Sequence, residues 1–230
     1  MLQRRKFLEL SSLGLSALTF SGFAPKSSKP AGKKPIVIST WGEGINANKA
    51  AWAVLKNGGR ALDAVEQGVM VTENSQNCCV GLGANPDRDG YVTLDACIMD
   101  EFANCGSVAF LERIKHPISV ARRVMEKTPH VMLVGSGAQQ FAVAEGFPLE
   151  SEKLSPDAER SYKKWLEKSE YKPVINIENS GTNLKSQTAF APKKLENGSW
   201  NHDTIGMVAL DAHGNLSGSC TTSGMGFKMR

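Results

Sequence analysis

An α/β fold is predicted by three observations. β-rich segments alternate with helical patterns from Pro35 onward, each helical pattern carries one apolar face, and the residues after Thr204 read as strand, turn, strand. Ile36 to Thr40 is apolar and β-rich, and the amphipathic run Ala47 to Lys56 follows it, closed by Asn57-Gly58-Gly59. Ala61, Leu62, Val65, Val69 and Thr72 recur at spacings of three and four, with Asp63 and Glu66 opposite, as in a helix packed on a sheet. Tyr91 to Met99 and Cys105 to Leu111 have strand composition, and the polar turn Asp100 to Asn104 between them predicts a hairpin.

Pro117 opens a further helix that runs through Val124 and is stopped by Thr128-Pro129. Val131 to Val134 is a strand candidate, followed by a helix from Ala138 to Glu145 ending at Gly146. Ser155-Pro156-Asp157 caps a helical segment containing Tyr162, Trp165 and Leu166. From Lys172 onward the chain reads as a tether, and Asn179 to Asn201 has no apolar period, which argues an exposed, mobile loop. Beyond it come a strand from Ile205 to Asp211, the turn Ala212-His213-Gly214-Asn215, and a strand from Leu216 to Thr222. That hairpin brings the hydroxyls of Thr204 and Thr222 to the same sheet edge.

The composition, 230 residues with 41% hydrophobic content, suffices for a sizeable core. Charge is uneven: the first 34 residues hold seven basic side chains and one acidic, so a net charge of +4 overall leaves −2 for the remainder. A body of that balance, without a basic run interleaved with aromatics, is not built to bind nucleic acid. Arg4-Arg5-Lys6-Phe7-Leu8, an apolar stretch diluted by Ser and Gly through Phe20, and a cleavage point after Ala24 form a twin-arginine export signal. It implies a periplasmic protein that meets the membrane only during export; the alternative is a retained membrane helix. The domain boundaries are then 1–34 for signal and linker, 35–203 ending in the tether 172–203, and 204–230.

Five cysteines, Cys78, Cys79, Cys97, Cys105 and Cys220, show no C-x-x-C spacing and no neighbouring histidine pair, so no metal site is expected. Cys97 and Cys105 could face each other across the hairpin turn, but buried free thiols are the plainer reading. His116, His130 and His213 read as structural or solvated. Gly81-Leu82-Gly83 and Gly135-Ser136-Gly137 are too short for phosphate cradles and read as turns.

Chemistry concentrates at His202-Asp203-Thr204, where a charged loop becomes a strand headed by threonine. A hydroxyl is a weak nucleophile without a base in reach. Were the Asp203–Thr204 bond broken, Thr204 would gain an α-amine of reference pKa about 7.7 to 8.0, suited to act as that base. The same hydroxyl can attack the Asp203 carbonyl, with the Asp203 carboxylate or His202 as proton acceptor. Taken alone, an Asp-Thr pair before a strand is an ordinary boundary, Thr222 a strand hydroxyl and Trp41 a core or lid aromatic.

The segment His202-Asp203-Thr204-Ile205-Gly206-Met207, with Gly214-Asn215-Leu216-Ser217 and Thr221-Thr222-Ser223-Gly224-Met225, resembles the glycosylasparaginases, which are N-terminal-nucleophile hydrolases. Ser39-Thr40-Trp41 with Asn46-Ala47-Asn48, Leu94 to Asp100, and Pro117 to Arg122 leading into Met125 to Val131 match as well. The resemblance implies an α/β four-layer αββα sandwich, incomplete at the C-terminus, with the nucleophile heading a central strand. It implies Thr204 as nucleophile, His202 and Asp203 at the self-processing site, Thr222 as a second hydroxyl at the reacting centre, and Trp41 lining the substrate pocket. The implied activity is hydrolysis of the amide joining N-acetylglucosamine to an asparagine side chain, without metal or organic cofactor. The implied assembly is an α/β heterodimer after cleavage, paired into a dimer of heterodimers. An L-asparaginase or isoaspartyl peptidase of the same fold, or an inactive fragment, are the alternatives. The family's clamp for the substrate's α-carboxylate and α-amine, and its glycine-rich oxyanion loop, come after Arg230, to which no role is assigned.

Overall fold

A computed structural model describes residues 34–42, 44–75, 79–168 and 204–230. The expectations for the signal segment, the tether, His202 and Asp203 therefore lie outside the described residues. In chain order the elements are β1 (Ile36–Ser39), α1 (Gly44–Leu55), α2 (Ala61–Asn74), β2 (Leu94–Met99), β3 (Cys105–Leu111), α3 (Pro117–Lys127), β4 (Met132–Val134), α4 (Gly135–Ala144), α5 (Pro156–Leu166), β5 (Thr204–Leu210) and β6 (Leu216–Thr222). The strands form one six-stranded sheet in the order β1-β5-β6-β2-β3-β4. All its pairings are antiparallel except that of β3 with β4. The molecule is thus an α/β protein in which β5 is an interior strand, and the second sheet of the expected sandwich is not among the described residues.

One face of the sheet is covered by helices: α2 lies against β5 and β6, α3 against β2 and β3, and α1 against α2 and β1. The apolar stripe of α2 is the one its spacing predicts, with Leu62, Val65 and Val69 fully buried beside Met207 and Ile98. Each such side chain contributes about 1.5–3 kcal/mol by leaving water. Where α3 crosses β3 the backbones approach so closely that a Cβ on Gly106 would run into the Ala121 carbonyl.

Boundaries differ from the sequence reading where backbone hydrogen bonds, not periodicity, decide them. Helix α1 starts at Gly44, three residues early, because Gly44 N–H and Ile45 N–H donate to the carbonyls of Trp41 and Gly42. Strand β2 starts only at Leu94, since Tyr91 is engaged instead by the Asp87 carboxylate, which accepts from its N–H at 2.9 Å. Gly135-Ser136-Gly137 is not a turn but the first turn of α4, which leaves β4 without an intervening loop. Helix α3 continues to Lys127, where the Thr128 hydroxyl donates to Val124 O at 2.8 Å before Pro129. Strands β3 and β6 and the Ser155 cap, which accepts from Ala158 N–H, stand where the sequence predicts them.

Cys97, Cys105 and Cys220 are free thiols, while Cys79 is disulfide-bonded. Cys97 does not face Cys105; its register partner on β6 is Cys220. The Cys220 thiol bonds to Cys97 and, despite partial burial, brings the Cys97 pKa down to about 6. No described helix is long and apolar enough to cross a membrane.

Candidate active site

The hairpin of β5 and β6 is shaped by its turn. Asp211 closes it by accepting from His213 N–H at 2.9 Å, Asn215 N–H at 3.0 Å and Asn215 Nδ2 at 3.1 Å. Gly214 takes φ +93° there, a conformation few L-residues tolerate. With the turn set, the register runs from Leu210↔Leu216 to Thr204↔Thr222 without a bulge. Directly opposite residues of an antiparallel pair project to the same face, so the two hydroxyls meet. Thr204 Oγ1 donates to Thr222 Oγ1 at 3.1 Å, and Thr222 Oγ1 also accepts from Gly224 N–H at 2.9 Å. The next residue in this row is Asp95 of β2, the register partner of Thr222. Its carboxylate accepts the Phe110 N–H at 2.8 Å beside a bulge in the β2–β3 ladder.

Trp41 arrives from the other side. Strand β1 is extended by Thr40, whose N–H donates to Gly206 O at 3.0 Å and whose Oγ1 accepts from Gly206 N–H at 3.0 Å. The chain then turns sharply, with Trp41 at φ 64°. Such a backbone costs a non-glycine residue about 1–2 kcal/mol and persists only when its surroundings hold it. The holding contact is the indole Nε1–H, which donates to the Thr204 carbonyl at 2.9 Å. The ring is 42% exposed, and next to it a Cβ on Gly42 would meet nothing within 4 Å. Trp41, Thr204 and Thr222 are thus brought together in a half-open setting.

A hydroxyl whose proton is directed at one partner has its lone pairs directed elsewhere. Thr204 Oγ1 is held that way by an acceptor that is itself fixed by Gly224 N–H, so its orientation is set before any substrate arrives. Among the described residues no group of three His, Cys, Asp or Glu is placed to hold a metal ion. A cavity of about 280 Å³ lies between Phe110, Glu112, Gly135, Ser136, Gln139 and Arg230, and neither threonine lines it. Arg230 is spent in ion pairs with Asp87 at 3.3 Å and Glu112 at 2.6 Å.

One residue of consequence escapes the sequence reading. Glu73, on α2, is fully buried and lies directly behind β6. Its position four after Val69 places a carboxylate within the apolar stripe, which is the signal that could have found it. His116, read as structural or solvated, is its partner, with Nδ1 at 3.1 Å from Glu73 Oε2.

Comparison with known proteins shows the family. The asparaginase family model matches residues 23–230. An N(4)-(beta-N-acetylglucosaminyl)-L-asparaginase of Elizabethkingia miricola is 51% identical, covering 98% of this chain and 62% of its own length. The protein of that name from Mus musculus is 40% identical over 85% of this chain and 59% of its own length. A probable isoaspartyl peptidase/L-asparaginase of Arabidopsis thaliana is 31% identical over 86% of this chain and 61% of its own length. The chain spans about three fifths of the length of these relatives. A match over most of the chain places it in the asparaginase family of N-terminal-nucleophile hydrolases.

Proposed function

We propose that this chain is part of a self-cleaving amidohydrolase in which Thr204 is the nucleophile and the substrate is asparagine bearing N-acetylglucosamine on its side-chain nitrogen. The observation that carries the reading is the 3.1 Å hydrogen bond from Thr204 Oγ1 to Thr222 Oγ1 at the head of an interior strand. In the precursor, Thr204 Oγ1 attacks the Asp203 carbonyl with Asp203 or His202 taking the proton, and water hydrolyses the resulting ester. The freed α-amine then serves as base for the same hydroxyl, which attacks the substrate amide, releases the glycosylamine and forms an acyl-enzyme that water resolves. Trp41 lines the pocket. The product of cleavage is an α/β heterodimer, two of which pair, and the twin-arginine segment directs the precursor to the periplasm.

The isoaspartyl peptidase or plain asparaginase reading is supported by the Arabidopsis relative, but at 31% identity against 51% for the glycosylasparaginase-named one. The test is direct. Incubated at neutral pH, the intact precursor should split into two bands, the smaller beginning at Thr204 by N-terminal sequencing. Thr204→Ala should abolish splitting and turnover, while Thr204→Ser keeps part of both. Turnover should fall as pH drops below about 7.7, as the amine takes up its proton. A Thr204→Ala variant that still splits removes the nucleophile, an unsplit wild-type band favours an inert fragment, and preference for a β-aspartyl dipeptide transfers the chain to the second reading.

A further inference from the structure

Strand β6 turns an unusual face to the core. Its inward residues are Ser217, Ser219, Thr221 and, just past its end, Ser223, all buried and all hydroxyls where a sheet packed under a helix ordinarily carries aliphatic side chains. Three of them donate in sequence to α2 and the segment after it. Ser219 Oγ donates to Val65 O at 3.1 Å, Thr221 Oγ1 to Glu73 Oε1 at 2.7 Å, and Ser223 Oγ to Cys79 O at 2.9 Å. Apolar packing is non-directional and lets a strand slide by fractions of an ångström; hydrogen bonds at three successive inward positions do not.

The central rung carries the only carboxylate of this ladder. Glu73 Oε1 accepts both from Thr221 Oγ1 and from Ile118 N–H at 3.1 Å, one of the unpaired N–H groups at the start of α3, while Oε2 faces His116 Nδ1. One side chain therefore ties α2, α3 and β6 at a single point. That point is one residue from Thr222, whose side chain projects to the opposite face and receives the Thr204 hydroxyl. Thr221 is moreover the register partner of Ile205, the neighbour of Thr204.

We infer that Glu73 is a positioning residue for the reaction, acting through Thr221 to fix the height of β6 and so the seat of Thr222 beneath the Thr204 hydroxyl. The inference rests on the reading of Thr204 as nucleophile and adds to it the buried device that aims it. A misplacement of the second hydroxyl by less than an ångström is enough to slow the chemical step while leaving substrate contacts intact.

The two oxygens of Glu73 have separate duties, and that suggests the controls. Glu73→Gln keeps an oxygen for Thr221 and Ile118 and turns its amide toward His116, so it preserves the anchor; Glu73→Leu removes it. Thr221→Val removes the hydroxyl at nearly constant shape, and Thr221→Ser restores it. Well below the melting temperature, Glu73→Leu and Thr221→Val should each slow splitting of the precursor before Thr204 and, once split, lower kcat by about tenfold or more with KM within about twofold. Thr221→Ser and Glu73→Gln should recover kcat to within about threefold of wild type. Should Glu73→Leu fail to fold, the Thr221 pair decides. A folded Thr221→Val with wild-type kcat overturns the inference, as does an equal loss in Thr221→Val and Thr221→Ser. A wild-type precursor that neither splits nor turns over overturns the nucleophile reading and this inference together, a pattern distinct from an active wild type with an indifferent Thr221→Val.

Discussion

In two buried carboxylates the contest between burial, which opposes ionisation, and hydrogen bonding, which favours it, ends on opposite sides. For Glu73 burial dominates: the bonds from His116, Thr221 and Ile118 do not offset the loss of water, and its pKa is raised. For Asp211 burial also opposes ionisation, but the N–H groups of Asn215, Ala61 and His213 outweigh it and hold its carboxyl below the ordinary value of 3.8. Asp211 also does for α2 what Arg60 cannot. Arg60 stands at the N-cap with no side-chain bond to the helix, and the free Ala61 N–H reaches Asp211 Oδ2 at 3.4 Å instead. Asp211→Asn keeps one acceptor oxygen of two and should cost about 1–3 kcal/mol at neutral pH, the scale of hydrogen bonds to a charged group. The sign of the pH dependence follows from the depressed pKa. The contribution is complete above 3.8 and is lost as pH falls through the lower folded value, so the gap between wild type and variant should close there. Urea unfolding should show a smaller gap at pH 3, below the ordinary value of 3.8, than at pH 7, and a gap of the same size at both contradicts the assignment. Glu73 carries the opposite sign, its contribution declining as pH rises through its raised value.

Between elements, the α2–α3 contact shows what periodicity conveys and what it does not. The spacing of Leu62, Val65 and Val69 foretells the buried stripe of α2, and it places Asp63 and Glu66 opposite. It does not reveal that these carboxylates face another helix, because the partner lies more than fifty residues along the chain. Arg122 of α3 meets Asp63 at 2.7 Å, Glu66 at 2.6 Å and, on its own helix, Glu126 at 2.8 Å. Although its partial burial disfavours charge, the bonds to these three acids raise its pKa. Arg122→Met keeps the bulk and leaves the Glu66 carboxylate, only 12% exposed, without its cation though still bonded by Ser119 Oγ at 2.7 Å, and should cost about 1–3 kcal/mol, below the 3–5 kcal/mol of a fully buried pair. Glu126→Gln, an exposed pair within one helix, should cost no more than about 0.5 kcal/mol. Equal losses in the two variants would show that the interhelical link is idle. The same division runs through the site. The pairing of Thr204 with Thr222 was readable because a short turn fixes the register of a hairpin. The bond from Trp41 to Thr204 O spans 163 residues and the Glu73–Thr221 bond 148, distances at which no local pattern speaks. Ends of elements were likewise hidden wherever a side chain, as Asp87 does at Tyr91, diverts the backbone from its ladder.

At the scale of the whole molecule, the two faces of the sheet are unequal. One is sealed by α1, α2 and α3; the other leaves Ile38 66%, Leu216 56%, Val134 55%, Met132 50%, Val208 49% and Met99 48% exposed. These residues belong to five strands and alternate with the core-facing positions; Ile38, Val208, Leu216 and Met99 fall on four neighbouring strands and cluster, while Met132 and Val134 of β4 stand apart, beyond Ser107 and Ala109 of β3. Surfaces of that kind are occupied by a partner or drive association. Thr204 and Thr222 lie on this same face, at the end where β5 begins and β6 finishes, so whatever covers it also walls this pair of hydroxyls from water. The 230-residue chain should accordingly bind a hydrophobic dye and sediment as larger species with rising concentration. Ile38 and Val208 stand opposite each other across β1 and β5, and replacing them as a pair, Ile38→Lys with Val208→Glu, puts opposite charges at the centre of one flank. The double variant should lose most of the dye signal and shift toward monomer, while helix content, set on the sealed face, stays the same. A parent chain that remains monomeric at high concentration and binds no dye would mean that this face is adapted to water, and that the Thr204 and Thr222 hydroxyls stand without cover.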